Sequence, residues 1–287
     1  MYRLNVLIVA FWPLIACSQA SDHDALVARG DYLVNGIVAC GNCHTPRNAD
    51  ATAVEHMRLA GTFVIQEPEF RAYAPNITQD RETGIGAWSD EEIIRAIREG
   101  VRPDGRILGP PMPFPSYRNM SDSDVRAIVA YLRTVTPVRN SVLPSVYNIP
   151  LPESWGPPLG AVPEVPRNDV LAYGAYLGNA LGHCMECHTP MVDGAFDFSR
   201  TGAGGFLLNK PLGLQLAAVA ANITPHRTQG IGDWTDGEIK TAITQGISRD
   251  GRKLAPIMAF PYYQNMSDED LDALIVYLRS IPAQPKD

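Results

Sequence analysis

Cys40-Gly-Asn-Cys-His-Thr-Pro46 and Cys184-Met-Glu-Cys-His-Thr-Pro190 are the two stretches of this 287-residue sequence that decide its fold. The motif stands once in each half, where it opens a longer repeat. Both halves continue, in the same order, with Asn-Ile-Thr, Gly-Ile-Gly-x-Trp, Asp-Gly-Arg, Met-x-Phe-Pro, Ser-Asp-x-Asp and Tyr-Leu-Arg. A repeat of this extent predicts two domains built on one plan.

Each motif places two thiols three positions apart, directly before a histidine. Thiols at this spacing each form a thioether bond with a haem vinyl group, and the histidine then lies beneath the iron. The alternatives are a zinc site and a redox disulfide, but a histidine directly after the second cysteine is typical of neither. The sequence therefore predicts two covalent haem sites, with attachment at Cys40, Cys43, Cys184 and Cys187 and axial ligation by His44 and His188.

The iron needs a ligand on its other face as well, and methionine sulfur there stabilises the reduced state. Met112 and Met258 stand in matching proline-rich loops, where a rigid backbone holds a ligand at little ordering cost. Met120 and Met266 repeat too, but they directly precede the serine that begins the last helix, where a hydrophobic staple is expected. We therefore predict Met112 and Met258 as the sixth ligands, with Met120 and Met266 as the alternative.

Taken together, these motifs resemble the class I cytochrome c domains of the cytochrome subunits of bacterial membrane dehydrogenases and of related dihaem cytochromes. The resemblance covers nearly all of both copies. It implies a three-helix fold around each haem, His/Met ligation through the methionine before Phe-Pro (here Met112 and Met258), and a role in electron transfer. Such dehydrogenase subunits often carry three domains and a C-terminal membrane helix, whereas two copies are found in this sequence.

Helical spacing of apolar residues recurs in both copies, and no alternating strand pattern is found. Capping boxes at Ser89 and Thr235 predict helices that end at Gly100 and Gly246. The sequence also predicts that the first and last helices of each copy cross closely at a glycine, at Gly30-x-Tyr32 and Gly174-x-Tyr176.

The sequence therefore predicts an all-α fold, with cytochrome c domains at residues 22–136 and 168–287. The linker between them, residues 137–167, is rich in proline. Proline at this density excludes helix and central strand, so the linker is expected to be an extended strap that packs along the domains.

Residues 1–21 have the features of a lipoprotein-type signal segment and anchor. Arg3 precedes an apolar stretch that is too short for a comfortable membrane span, and Leu14-Ile-Ala-Cys17 resembles a lipobox. That resemblance implies that Cys17 is acylated and anchors the protein at the periplasmic face of a membrane. The alternative is cleavage near Ala20, which would leave a soluble periplasmic protein.

The formal net charge is −7, without a basic stripe, and this excludes a typical nucleic-acid-binding protein. The sequence also lacks a dinucleotide fingerprint and a phosphate-binding loop. We therefore expect a dihaem one-electron carrier that serves a dehydrogenase subunit, a quinol-oxidising complex or a terminal oxidase. The alternative is a dihaem enzyme of the peroxidase or thiosulfate dehydrogenase type, which needs one haem with an open or replaceable ligand position.

Overall fold

A computed structural model describes residues 14–214 and 216–285, with side chains from residue 21 onward. Most of the predicted signal segment thus lies outside the described residues, and so does the side chain of Cys17. In the described part the α-helices are α1 (Leu14–Asn35), α2 (Cys40–His44), α3 (Asp90–Glu99), α4 (Phe114–Tyr117), α5 (Asp122–Thr134), α6 (Val170–Tyr176), α7 (Cys184–Cys187), α8 (Asp236–Gln245), α9 (Phe260–Tyr263) and α10 (Asp268–Ser280). None of the described helices is both long and apolar enough to cross a bilayer.

The first and last helices of each copy cross at a glycine. A Cβ atom on Gly30 of α1 would lie 1.9 Å from the carbonyl oxygen of Ala127 in α5. In the second copy, a Cβ on Gly174 would lie 1.9 Å from the carbonyl oxygen of Ala273. Only glycine allows two backbones to approach so closely. The sequence predicted this crossing, and it fixes the frame that carries each cysteine motif.

The predicted helix signals in the middle of each copy are confirmed. Ser89 caps α3 in a reciprocal capping box with Glu92, and Thr235 does the same for α8 with Glu238. Both helices end at a glycine in the left-handed region, with φ of 65° at Gly100 and 66° in the second copy. Capping satisfies backbone donors that the first helical turn leaves free.

The predicted all-α class is wrong, because the described chain also forms three small antiparallel sheets. The loop between the cysteine motif and Asn-Ile-Thr folds into one hairpin in the first copy and into two short hairpins in the second. Valine, isoleucine, phenylalanine and tyrosine favour extended backbone here, and hairpin pairing satisfies peptide groups that a long loop would leave open. The strands are β1 (Thr62–Gln66), β2 (Phe70–Ala74), β3 (Val146–Tyr147), β4 (Met191–Val192), β5 (Ala195–Phe196), β6 (Leu207–Asn209) and β7 (Ala217–Val219).

The proline-rich strap contributes the edge strand of the first sheet. β3 pairs antiparallel with β2, through Phe70 opposite Tyr147 and Arg71 opposite Val146. An edge position tolerates the prolines that flank this short strand. The strap is therefore fixed along the first copy.

The two copies are joined by reciprocal hydrogen bonds from tyrosine to aspartate. Tyr32 of α1 donates to the carboxylate of Asp270 at 2.8 Å, and Tyr176 of α6 donates to the carboxylate of Asp124 at 2.8 Å. Both aspartates are buried, with exposed fractions of 1% for Asp270 and 7% for Asp124. Each tyrosine thus reaches the first turn of the other copy's last helix.

The same tyrosines complete the caps of those helices. The backbone N–H of Ser121 donates to the Tyr176 hydroxyl at 3.0 Å, and that of Ser267 donates to the Tyr32 hydroxyl at 3.1 Å. Arg29 binds both carboxylate oxygens of Asp124, whereas Arg167 of the strap binds Asp270 at 2.9 Å. Because tyrosine hydroxyls and arginine side chains bind both carboxylates, Asp124 and Asp270 can be buried. One continuous hydrophobic core extends through both copies.

We expect Tyr176→Phe to lower the free energy of unfolding by about 2 kcal/mol, because it leaves a buried carboxylate and a buried N–H with one partner fewer. Urea denaturation measures this loss. Tyr277→Phe is the matched control, since its hydroxyl bonds the exposed amide of Asn179 within one copy. An equal loss in both variants would contradict the assignment of a special role to the tyrosine that joins the copies.

Candidate functional site

Each cysteine motif forms a single helical turn that begins from a left-handed residue. α2 follows Ala39, with φ of 51°, and α7 follows His183, with φ of 39°. Residues other than glycine adopt this conformation at a cost of about 1–2 kcal/mol. The same backbone conformation precedes both motifs, so it belongs to the repeated plan of the site.

The motif histidines are buried and held by backbone carbonyls. The Nδ1 atom of His44 lies 2.8 Å from the carbonyl oxygen of Pro75, and that of His188 lies 2.7 Å from the carbonyl oxygen of Ala221. Burial lowers the pKa of both imidazoles, so the neutral form is favoured. A neutral ring that donates through Nδ1 carries its lone pair on Nε2, as an axial iron ligand requires.

The four motif cysteines are half-buried, and none of them forms a disulfide with another described cysteine. Desolvation raises the pKa of Cys40 and Cys187 to about 12, and that of Cys43 and Cys184 to about 11. Burial thus disfavours the thiolate form, which disulfide exchange uses. Two half-buried cysteines beside a buried imidazole that a backbone carbonyl orients fit covalent attachment of a haem.

The repeated methionines lie in two different environments. Met120 and Met266 are buried in the hydrophobic core, with exposed fractions of 0% and 6%. They pack there as a hydrophobic staple before α5 and α10. Met112 and Met258 are only partly buried, in the loops before α4 and α9, and Met112 packs against the margin of the core. Their role as iron ligands remains a prediction, and it is favoured because Met120 and Met266 are already occupied by core contacts.

The two motifs lie next to each other across the boundary between the copies. A Cβ atom on Gly41 would lie 2.2 Å from the hydroxyl of Tyr262, which belongs to the second copy. The Asn42 amide donates to the carbonyl oxygen of Ile257 at 3.4 Å. From the other side, the ring of Tyr117 meets that of His183 edge-on at 5.8 Å. The attachment regions of both copies therefore share one interface.

The Asn-Ile-Thr motifs bind the backbone that follows the last helix of each copy. The Asn76 amide donates to the carbonyl oxygen of Val138 at 2.7 Å, and its oxygen accepts from the backbone N–H of Thr78. Asn222 makes the equivalent bonds, with Gln284 as the acceptor. The sequence analysis did not reveal this role, because it depends on where the chain returns after the last helix.

Sequence reasoning also missed Tyr32 and Tyr176 as residues that join the copies. Both were expected only near the helix crossing within their own copy. The signal was present, since each tyrosine repeats two positions after the crossing glycine and each partner aspartate repeats within Ser-Asp-x-Asp. A repeat alone, however, does not distinguish a bond within one copy from a bond between copies.

Comparison with known proteins also finds one domain in each half of the sequence. The family model described as Cytochrome c matches residues 27–136 and again residues 172–282. The sequence is 32% identical, over 93% of its length, to the fructose dehydrogenase cytochrome subunit of Gluconobacter japonicus. It is 30% identical, over 99% of its length, to the gluconate 2-dehydrogenase cytochrome c subunit of Pantoea cypripedii.

The chain spans only part of these dehydrogenase subunits, namely 55% of the first and 66% of the second. It spans 82% of a protein described as diheme cytochrome c-type from Cereibacter sphaeroides, to which it is 29% identical over 85% of its own length. The similarity thus extends across both copies in proteins of different total length.

Replacing both cysteines of one motif, Cys40→Ala with Cys43→Ala, is expected to reduce covalent haem from two groups per exported chain to one, because no thioether bond remains in that copy. Mass spectrometry of the denatured chain counts the groups. Cys17→Ala serves as the control and is expected to keep both. Retention of two covalent haems by the double variant would contradict the assigned attachment sites.

Proposed function

The chain belongs to the cytochrome c family and carries two covalently bound haem c groups, and we propose that it works as a non-catalytic one-electron carrier. The observation that supports this most is the arrangement of the two motifs. Both present a buried histidine whose Nδ1 atom is bonded to a backbone carbonyl, and they lie side by side at one interface.

The proposed roles follow the repeat. Cys40 and Cys43 would attach one haem and Cys184 and Cys187 the other, with His44 and Met112 as the iron ligands of the first and His188 and Met258 as those of the second. The bound group supplies an iron that alternates between the ferrous and ferric states. The protein orients each imidazole through one carbonyl and surrounds it with apolar side chains, which reduces rearrangement on electron transfer.

Two haems in one chain offer a path between separate redox partners. Each cysteine motif region lies against the short helix that follows the other copy's methionine loop, with Gly41 beside Tyr262 and His183 beside Tyr117. Because the reciprocal tyrosine–aspartate bonds fix the two copies, an electron needs no domain movement to pass from one to the other. This supports a carrier that accepts on one copy and donates from the other.

A dehydrogenase is the proposed electron donor. Two relatives carry dehydrogenase in their names as cytochrome subunits, and the similarity covers more than nine tenths of this chain. A quinol-oxidising complex is another possible donor, and a terminal oxidase is a possible acceptor. The net charge of −7 suits a partner with a positive docking patch, which would accelerate encounter.

The alternative, a dihaem peroxidase or thiosulfate dehydrogenase, requires an exchangeable position at one iron. We expect neither reduced haem of the unaltered protein to bind carbon monoxide rapidly, because methionine occupies both positions. Met112→Ala and Met258→Ala should each open one haem, and Met120→Leu should open none. Stopped-flow absorbance after mixing with carbon monoxide measures the number of open sites.

Rapid binding at one haem of the unaltered protein, or turnover of peroxide, would contradict the carrier function. If Met120→Leu opened a haem while Met112→Ala did not, the ligand assignment in the first copy would be wrong. The first outcome would refute the proposed function, whereas the second would refute only the proposed iron ligand.

We also propose that Cys17 is a lipid anchor that holds the protein at the periplasmic face of a membrane. The basis is the lipobox-like Leu14-Ile-Ala-Cys17 after an apolar stretch. Two or more acyl chains give stable membrane attachment, whereas one chain alone does not.

Cys17→Ser should abolish incorporation of labelled fatty acid and move the protein from the membrane fraction to the soluble periplasmic fraction. Haem content in the recovered protein serves as the control and should not change. An unaltered protein that is soluble and free of acyl groups would instead support cleavage near Ala20.

A further inference from the structure

The loops that carry Met112 and Met258 are held by different parts of the chain. The Met258 loop lies against the cysteine motif of the other copy, through the bond from Asn42 to Ile257. The Met112 loop is instead covered by the strap between the copies. Both copies thus have the methionine, but a different segment of the chain holds its loop in each copy.

Two aromatic side chains of the strap hold the Met112 loop. Tyr147 donates its hydroxyl to the carbonyl oxygen of Pro110 at 2.9 Å, and Trp155 donates its Nε1–H to the carbonyl oxygen of Leu108 at 2.7 Å. These acceptors lie two and four residues before the methionine. Trp155 also stacks on Phe114, two residues after it, with ring centroids 5.7 Å apart. The strap therefore holds the backbone before Met112 and the ring of Phe114 after it.

The sequence of the loop is adapted to this contact. A Cβ atom on the buried Gly109 would lie 2.4 Å from the Tyr147 ring, so only glycine leaves room for it. The second copy has Ala255 at this position. Among the described residues, no aromatic strap residue contacts the carbonyls of Leu254 or Pro256 in that loop.

From this asymmetry we propose that Tyr147 and Trp155 are positioning residues that keep the Met112 sulfur on the iron of the first copy. The proposal rests on the proposed ligand role of Met112. The strap holds the ends of a short loop, and this lowers the fraction of time in which the methionine is displaced. The strap thereby sets how readily Met112 is displaced from the iron, and it does not affect Met258.

Imidazole, which competes with methionine for ferric iron, is the probe. A net hydrogen bond contributes about 1 kcal/mol, so Tyr147→Phe and Trp155→Phe should each tighten imidazole binding at the first haem about five- to tenfold. Imidazole binding at the second haem should not change. The shifted methyl resonance of each ligating methionine in the NMR spectrum reports the two haems separately, and Met112→Ala assigns them.

Gly109→Ala tests the same contact from the loop side and should tighten imidazole binding at the first haem by displacing the Tyr147 ring. Tyr277→Phe is the matched control, because its hydroxyl bonds Asn179 away from both loops, and it should change neither haem. Equal changes at both haems, or no change in either strap variant, would overturn the positioning role. If Met112→Ala kept both methionine resonances, the ligand assignment itself would fail, which is a separate outcome.

Discussion

Two buried carboxylates, Asp124 and Asp270, each accept a hydrogen bond from a tyrosine of the opposite copy. A buried carboxylate is costly unless its oxygens are fully bonded, so neither copy presents a satisfied surface there without the other. The guanidinium groups of Arg29 and Arg167 complete the two clusters. This requirement makes the duplicated chain one body with a shared core rather than two domains on a flexible linker.

The arrangement of the redox sites depends on this constraint. Because the last helices are joined across the boundary, the short helices that follow the methionine loops lie against the attachment motifs, as the contacts of Tyr117 with His183 and of Tyr262 with Gly41 show. The strap ends in this interface at Arg167, but its stretch from Val146 to Trp155 lies along the first hairpin and the Met112 loop. The tyrosine–aspartate bonds thus hold the two sites together, while the strap supports only the Met112 loop.

Much of this could be predicted from the sequence, because the decisive signals are local. The cysteine motifs, the capping boxes at Ser89 and Thr235 and the crossing glycines each act within a few residues or at one backbone contact. The strands were missed because short extended segments such as Thr62–Gln66 have no helical or alternating pattern and become strands only by pairing. The partners of Tyr32, Tyr176 and Trp155 depend on tertiary placement, which the repeat pattern does not encode.

The central claim is that the two haem sites are held close together in one rigid body, so that electrons pass between them within a single chain. Flash photoreduction of the fully oxidised protein by less than one electron per molecule tests this most directly, with absorbance followed at several protein concentrations. The account predicts a first-order redistribution between the haems whose rate is independent of protein concentration. Redistribution that occurs only at a rate proportional to protein concentration would show that the haems communicate between molecules, and it would contradict the claim.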